Sequence, residues 1–136
     1  MKKDLTVLLV DDDRITVFLT QKLISGFEIK ELVCKENGKA GIDYLVARKD
    51  ASLELPDIVL LDLNMPVLDG WGFLEAFSES CCADNPKVAI YICSSSDAPT
   101  DILRAKTYPF VRQFITKPLT PKIFSEVLTN AVNHKV

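Results

Sequence analysis

The sequence predicts an α/β protein in which a parallel β-sheet carries helices on both faces. Three observations predict it. Short apolar runs alternate with longer segments of helical periodicity, and this β-α order repeats five times without a break in composition. The strand-like runs are apolar on both parities, as in strands buried on both faces. Acids, hydroxyls and a lysine-proline pair follow these runs directly, where an open parallel sheet forms its sites.

The first strand is expected at Leu5 to Val10, "LTVLLV". Three acids, Asp11, Asp12 and Asp13, separate it from a helix in which Ile15, Phe18, Leu19 and Leu23, with Val17 and Ile24 on the flanks, recur near 3.6 spacing, with Gly26 as a stop. Residues 28 to 34, "EIKELVC", suit a second strand. Asn37-Gly38 then turns the chain into a helix carrying Ala40, Tyr44, Leu45 and Arg48. Asp57 to Leu61 is the third strand. The proline and glycines of "NMPVLDGWGF" make a loop, and a helix over roughly 70 to 80 follows. Residues 88 to 93, "VAIYIC", form the fourth strand. "SSSDAPTDILRAKTY" begins with small polar residues and turns helical, with Pro99 tolerable in a first turn and Ser96 or Asp97 as caps. The fifth strand is "QFIT", 113 to 116. Thr120 as N-cap and Pro121 as first residue open a last helix whose apolar face is Ile123, Phe124, Val127, Leu128 and Ala131.

The totals exclude several classes. At 136 residues the chain suits a single domain with a real core, read as 1–136 with its core over about 5–132 and no output domain. A net charge of -3 and the lack of a Lys/Arg cluster give no footprint for direct nucleic-acid binding. No apolar run reaches the roughly 18 residues of a membrane span, and the start does not fit a signal peptide. Cys34, Cys81, Cys82 and Cys93 match no zinc spacing; reduced core thiols at Cys34 and Cys93 and an idle loop pair at Cys81-Cys82 point to a cytoplasmic protein. The single His134 lies near a terminus expected to fray, and Trp71 reads as a packing or partner-contact residue.

The chemistry gathers after the strands. Asp11, Asp12 and Asp13 follow the first, Asp62 ends the third, Ser94, Ser95 and Ser96 follow the fourth, and Lys117-Pro118 follows the fifth. Carboxylates brought together repel and would partly neutralise unless a cation joined them. An all-oxygen donor set selects a hard cation, Mg2+ or else Mn2+, which leaves coordination positions for phosphate oxygens. Without a cation the acids would expel an anion, so the rim suits phosphate only with metal bound.

The segments "LLVDDD" (8 to 13), "VLLDLNMPVLDG" (59 to 70), "ICSSSD" (92 to 97) and "FITKPL" (114 to 119) together carry a resemblance. The chain resembles the receiver domains of two-component response regulators, particularly stand-alone ones like the chemotaxis regulator, from about Leu5 to Val132. That resemblance implies a flavodoxin-like, doubly wound (βα)5 fold with a five-stranded parallel sheet in the order 2-1-3-4-5. It implies Asp62 as phospho-acceptor and Mg2+ held by Asp12, by Asp11 mostly through water, by Asp62 and by the backbone carbonyl of Asn64. Ser94 stands at the switch hydroxyl, Phe114 at the switch aromatic, Ser95 at the small residue beside the phosphoryl group, and Lys117 at the charge-spreading lysine. The implied partners are a sensor histidine kinase or histidine phosphotransfer protein, and a downstream protein met by the face of the fourth helix, fifth strand and fifth helix.

The chain departs from the family pattern in three places. Asp13 adds a third acid, which would favour a helix N-terminus. Ser94 replaces the commoner Thr, and residues 78 to 87 lengthen the loop before the fourth strand. A phosphatase of the haloacid-dehalogenase type would also use an Asp nucleophile, Mg2+, a hydroxyl and a lysine. It needs a second acid two positions on, where this chain has the amide Asn64, so a switch rather than an enzyme is expected. A flavin-binding module ranks lower, since three carboxylates follow the first strand. A receiver-like module that works without phosphate is the remaining alternative.

Overall fold

A computed structural model describes residues 4–80, 84 and 87–135, with side chains described to residue 132. Cys81 and Cys82, and half of the expected long loop, lie outside the described residues. The elements run β1 (Thr6–Val10), α1 (Arg14–Ile24), β2 (Glu31–Lys35), α2 (Gly38–Asp50), β3 (Ile58–Leu61), α3 (Gly70–Glu79), β4 (Ala89–Ser94), α4 (Pro99–Ala105), β5 (Val111–Thr116) and α5 (Pro121–Lys135). The five strands pair in parallel in the order β2-β1-β3-β4-β5. This is the flavodoxin-like order that the resemblance implies.

Strand alternation divides the core into two layers. Leu8, Val10, Val59, Leu61, Ile90 and Ile92 face α2 and α3, where Leu45, Phe73, Leu74 and Phe77 cover them. Val7, Leu9, Ile58, Leu60, Tyr91 and Cys93 face the other way, under Ile24 of α1 and Phe124, Val127, Leu128 and Ala131 of α5. The period of two along each strand thus feeds both layers, which is why the strands read as unbroken apolar runs.

Side chains set the helix starts. Asp13 caps α1, accepting from Ile15 N at 3.1 Å and from Thr16 Oγ1 at 2.7 Å. Asn37 caps α2 and Asp69 caps α3, each through an N–H at 2.8 Å. Thr120 Oγ1 accepts from Ile123 N at 3.2 Å and opens α5 as expected. Each bond satisfies an N–H that has no partner inside the helix.

Four expectations need correction. The stripe that announces α1 is only partly the face it buries: Ile15, Phe18 and Leu19 are 71%, 59% and 57% exposed, while Leu23 and the flanking Val17 pack on the core and Thr20 and the flanking Ile24 are buried. Apolar spacing finds a helix, but two nearby faces of α1 are apolar and only packing chooses between them. Strand β2 begins at Glu31, not at residue 28. Strand β5 begins at Val111, not at residue 113, with a register shift opposite Ile90 and Tyr91. Neither Ser96 nor Asp97 occupies the N-cap of α4; that position is Ala98, without a side-chain bond, and Pro99 follows.

Aromatic contacts tie α4 to α3. The Arg104 guanidinium lies 4.3 Å over Trp71, Trp71 stacks on Tyr108 at 6.3 Å, and Tyr108 meets Phe110 at 5.8 Å. Trp71 is therefore a packing residue. Among the described residues no helix is long and apolar enough to cross a membrane.

Candidate functional site

The carboxyl ends of β1, β3, β4 and β5 converge on one rim. The ladder continues one residue past the strands: Asp62 N donates to Val10 O at 3.0 Å, and Lys117 N donates to Ser94 O at 2.8 Å. The sheet itself therefore fixes the backbones of the acid and the lysine. The Lys117-Pro118 peptide is cis.

Asp11, Asp12 and Asp62 each offer one carboxylate oxygen, and these oxygens lie within 4.8 Å of one another. Asp11 and Asp62 are buried and Asp12 is exposed. Asp13 is not in this group, because its carboxylate caps α1. Lys117 Nζ stands 3.0 Å from Asp11 Oδ2 and 3.5 Å from Asp62 Oδ1. Asp11 Oδ1 also accepts from Asp13 N at 2.9 Å.

The electrostatics follow from this arrangement. Burial, and then the charge of Asp11, push Asp62 above the ordinary carboxylate range; Lys117 and the N–H groups of Asn64 and Leu63 oppose them. Burial alone would lower Lys117, but its hydrogen bond to Asp11 and the charges of Asp11 and Asp62 outweigh burial and raise it. Three carboxylates thus share one ammonium, an excess of negative charge in a half-buried place. Their donors are all oxygen. This fits a hard divalent cation, with Asp11, Asp12 and Asp62 as its protein carboxylates.

Ser94 is fully buried at the end of β4, and its Oγ accepts from Ser96 N at 3.1 Å. Ser96, expected as a cap of α4, has a different role. Its Oγ donates to Asp101 Oδ2 at 2.7 Å and accepts from Ala98 N at 3.2 Å, so the Ser94 turn is linked to the first turn of α4. The Ser-x-Ser spacing with an acid five residues on is a signal that reading the strand ends alone passes over. Ser95 and Asn64 are exposed. Phe114 is half-buried against the α2–α3 side of the core and lines a groove beside Ile102 and Ala105.

Gly70 lets the backbone close around the site. A Cβ on Gly70 would stand 2.5 Å from Asp62 O and 2.7 Å from Leu63 Cα, so the loop after Asp62 needs glycine there. Between Asp62 and Gly70, Val67 holds a φ of 69°, a left-handed conformation that β-branched residues rarely adopt.

Asp57, the acid at the other end of β3, belongs to no site. It is buried, accepts from Thr6 N at 2.8 Å and lies 3.6 Å from Lys87 Nζ, fixing the entry into β1 and β3.

A model of the response regulator receiver domain matches residues 7–129. The probable methanogenesis regulatory protein FilR2 of Methanothrix harundinacea is 31% identical over 116 residues, covering 84% of this chain and 72% of that protein. Protein-glutamate methylesterase/protein-glutamine glutaminase 1 of Burkholderia pseudomallei is 33% identical over 119 residues, but the chain spans only 30% of its length. Among solved structures, a two component response regulator from Cytophaga hutchinsonii superposes with a TM-score of 0.87 at 29% identity, covering 96% of this chain and 98% of that one.

Proposed function

The chain belongs to the response regulator receiver domain family, and from that premise we propose that it is a phospho-accepting signalling switch with Asp62 as the acceptor. The observation that carries the reading is the buried Asp62 carboxylate, grouped with Asp11 and Asp12 and lying 3.5 Å from Lys117. A nucleophilic carboxylate beside a fixed ammonium is what phosphoryl transfer to an aspartate needs.

In this reading one Asp62 oxygen forms a bond to phosphorus as the bond from phosphorus to the donor's leaving atom breaks. The product is a mixed anhydride on Asp62. Lys117 moves little, since Asp11 already holds its ammonium, and it spreads the charge of the transferring group. Mg2+ bound by Asp11, Asp12, Asp62 and the Asn64 carbonyl would neutralise the excess carboxylate charge and supply electrostatic stabilisation to the phosphoryl oxygens. The Ser94 hydroxyl, at the end of the neighbouring strand β4, is the candidate to bond a new phosphoryl oxygen. Any movement of Ser94 is passed through Ser96 and Asp101 to α4, and Phe114 is placed to repack beside it. The donor would be a histidine kinase or histidine phosphotransfer protein, and the output a protein contact through the α4-β5-α5 face. Asn64 supplies no acid or base two residues after Asp62, which disfavours sustained phosphatase turnover.

The test is labelling by acetyl phosphate. Wild type should be labelled with Mg2+ present and not after chelation, and Asp62→Asn should not be labelled. Equal labelling of the Asn variant would sink the assignment.

A further inference from the structure

A cavity of about 250 Å3 lies between α1 and the turn that joins β5 to α5, apart from the acidic rim but touching its back. Its floor is the buried sheet, with Leu60 and Cys93; Leu23 and Leu119 close its sides. Protein interiors are normally filled to crystal-like density. Cavities of roughly 150 Å3 are enough to hold a benzene.

The helix itself makes this space. Toward the sheet α1 presents Thr16 and Thr20, four residues apart on one face, while its bulky Ile15 and Phe18 are turned outward to 71% and 59% exposure. Of the four α1 residues that line the cavity, Thr16 and Thr20 are small and leave room, while Leu19 and Leu23 add apolar wall beside them.

The polar end is lopsided. Thr16 Oγ1 gives its proton to Asp13 Oδ2 at 2.7 Å, so it can offer the cavity only lone pairs. Asp11 brings carboxylate oxygens, and the Lys117 ammonium is taken up by Asp11 at 3.0 Å. An anion entering here meets Asp11, with Asp12 and Asp62 behind it, against one lysine. A cation would have to leave water for apolar walls, which is costly.

We propose that this cavity is a binding site for a small, neutral, mainly apolar molecule carrying one N–H or O–H donor, of the size of a one- or two-ring aromatic. The donor meets the acceptors at the Asp11 and Thr16 end, and the rings lie on Leu60 and Cys93. Binding at this site does not depend on whether Asp62 accepts a phosphoryl group.

Methyl-resolved NMR of the full chain, titrated with indole, tests it. Indole should shift the methyl signals of Thr20, Leu23, Leu60 and Leu119 saturably. Indole-3-acetate, the same ring with a carboxylate, should bind at least about tenfold more weakly, a difference of about 1.4 kcal/mol. Thr20→Phe, which fills the cavity, should abolish the shifts; if that variant does not fold, Leu119→Phe closes the same space from the other side. Shifts that fail to saturate, or that persist in a folded cavity-filled variant, overturn the proposal. So does equal binding of the acid. If the cavity methyls ignore indole and move only with a phosphodonor protein, the space takes a partner's side chain and the proposal falls.

Discussion

Lys117 Nζ lies 3.0 Å from Asp11 Oδ2, a hydrogen-bonded ion pair between residues 106 positions apart in the chain. It joins the end of β1 to the end of β5 across the sheet rim. Asp11 is buried, so the pair does more than a surface salt bridge. Removing the lysine leaves Asp11 and Asp62 close together without a counter-charge.

Lys117→Ala should therefore destabilise the metal-free protein by about 3 kcal/mol, the usual cost of stranding one partner of a buried pair. Saturating Mg2+ should return part of that loss, because a cation binding only the folded state adds stability by mass action. Urea denaturation with and without Mg2+ measures both. A variant as stable as wild type in the absence of metal would show that the pair carries no weight.

Asp62→Asn should stabilise the metal-free protein at neutral pH. Burial and Asp11 raise the Asp62 pKa above 3.8 in the folded chain. A carboxyl raised by folding favours the fold while protonated, and that advantage is lost as pH rises from its unfolded value through its folded one. Above that window wild type carries a charge the fold resists, and the Asn variant does not. The stability gap in favour of Asn should be small at low pH, open through this window and then stay level. A gap that narrows with rising pH would contradict the assigned shift.

Much of this was legible in the sequence, and the reasons are physical. Strand positions read clearly because β1, β3 and β4 are buried on both faces, which leaves no polar alternation to confuse them. The acids, Ser94 and Lys117 read clearly because in a parallel sheet the residue after each strand lands on the same rim. The buried face of α1 read only in part, because Ile15, Phe18 and Leu19 have helical spacing as good as that of Val17, Thr20 and Ile24. The link from Ser96 to Asp101 did not read either: a serine before a helix looks like a cap, and only coordinates reveal that it bonds to the first turn instead. The start of β5 was missed because the irregularity opposite Ile90 and Tyr91 breaks the period there.

Val67→Gly should raise stability. Val67 holds a φ of 69° and is 77% exposed, so glycine gives up little packing. Releasing a side chain from the left-handed region returns roughly 1 to 2 kcal/mol, and the greater freedom of glycine in the unfolded chain takes back about 0.4 to 1 kcal/mol. The net gain should be about 1 kcal/mol, read as a higher urea midpoint at unchanged slope. A loss of stability would mean that Val67 makes contacts its exposure does not suggest.

Gly70→Ala should do the opposite, and should reach the site. The added Cβ would stand 2.5 Å from Asp62 O and 2.7 Å from Leu63 Cα, both backbone atoms that cannot rotate away. Gly70 N also donates to Leu63 O at 2.9 Å, so the start of α3 is bonded to the residue after the acceptor. Relief must come from shifting the loop that follows Asp62, at a cost of about 1 to 3 kcal/mol. The same shift moves the Leu63 and Asn64 N–H groups that hold the Asp62 carboxylate. The variant should accept label from acetyl phosphate more slowly than wild type at a temperature where both are fully folded. Control variants at Gly26, where an added Cβ comes no nearer than 3.5 Å to Leu23 O, should label at the wild-type rate. If Gly70→Ala is destabilised but labels normally, the loop strain stays in α3 and the approach of Gly70 to Asp62 matters only for stability.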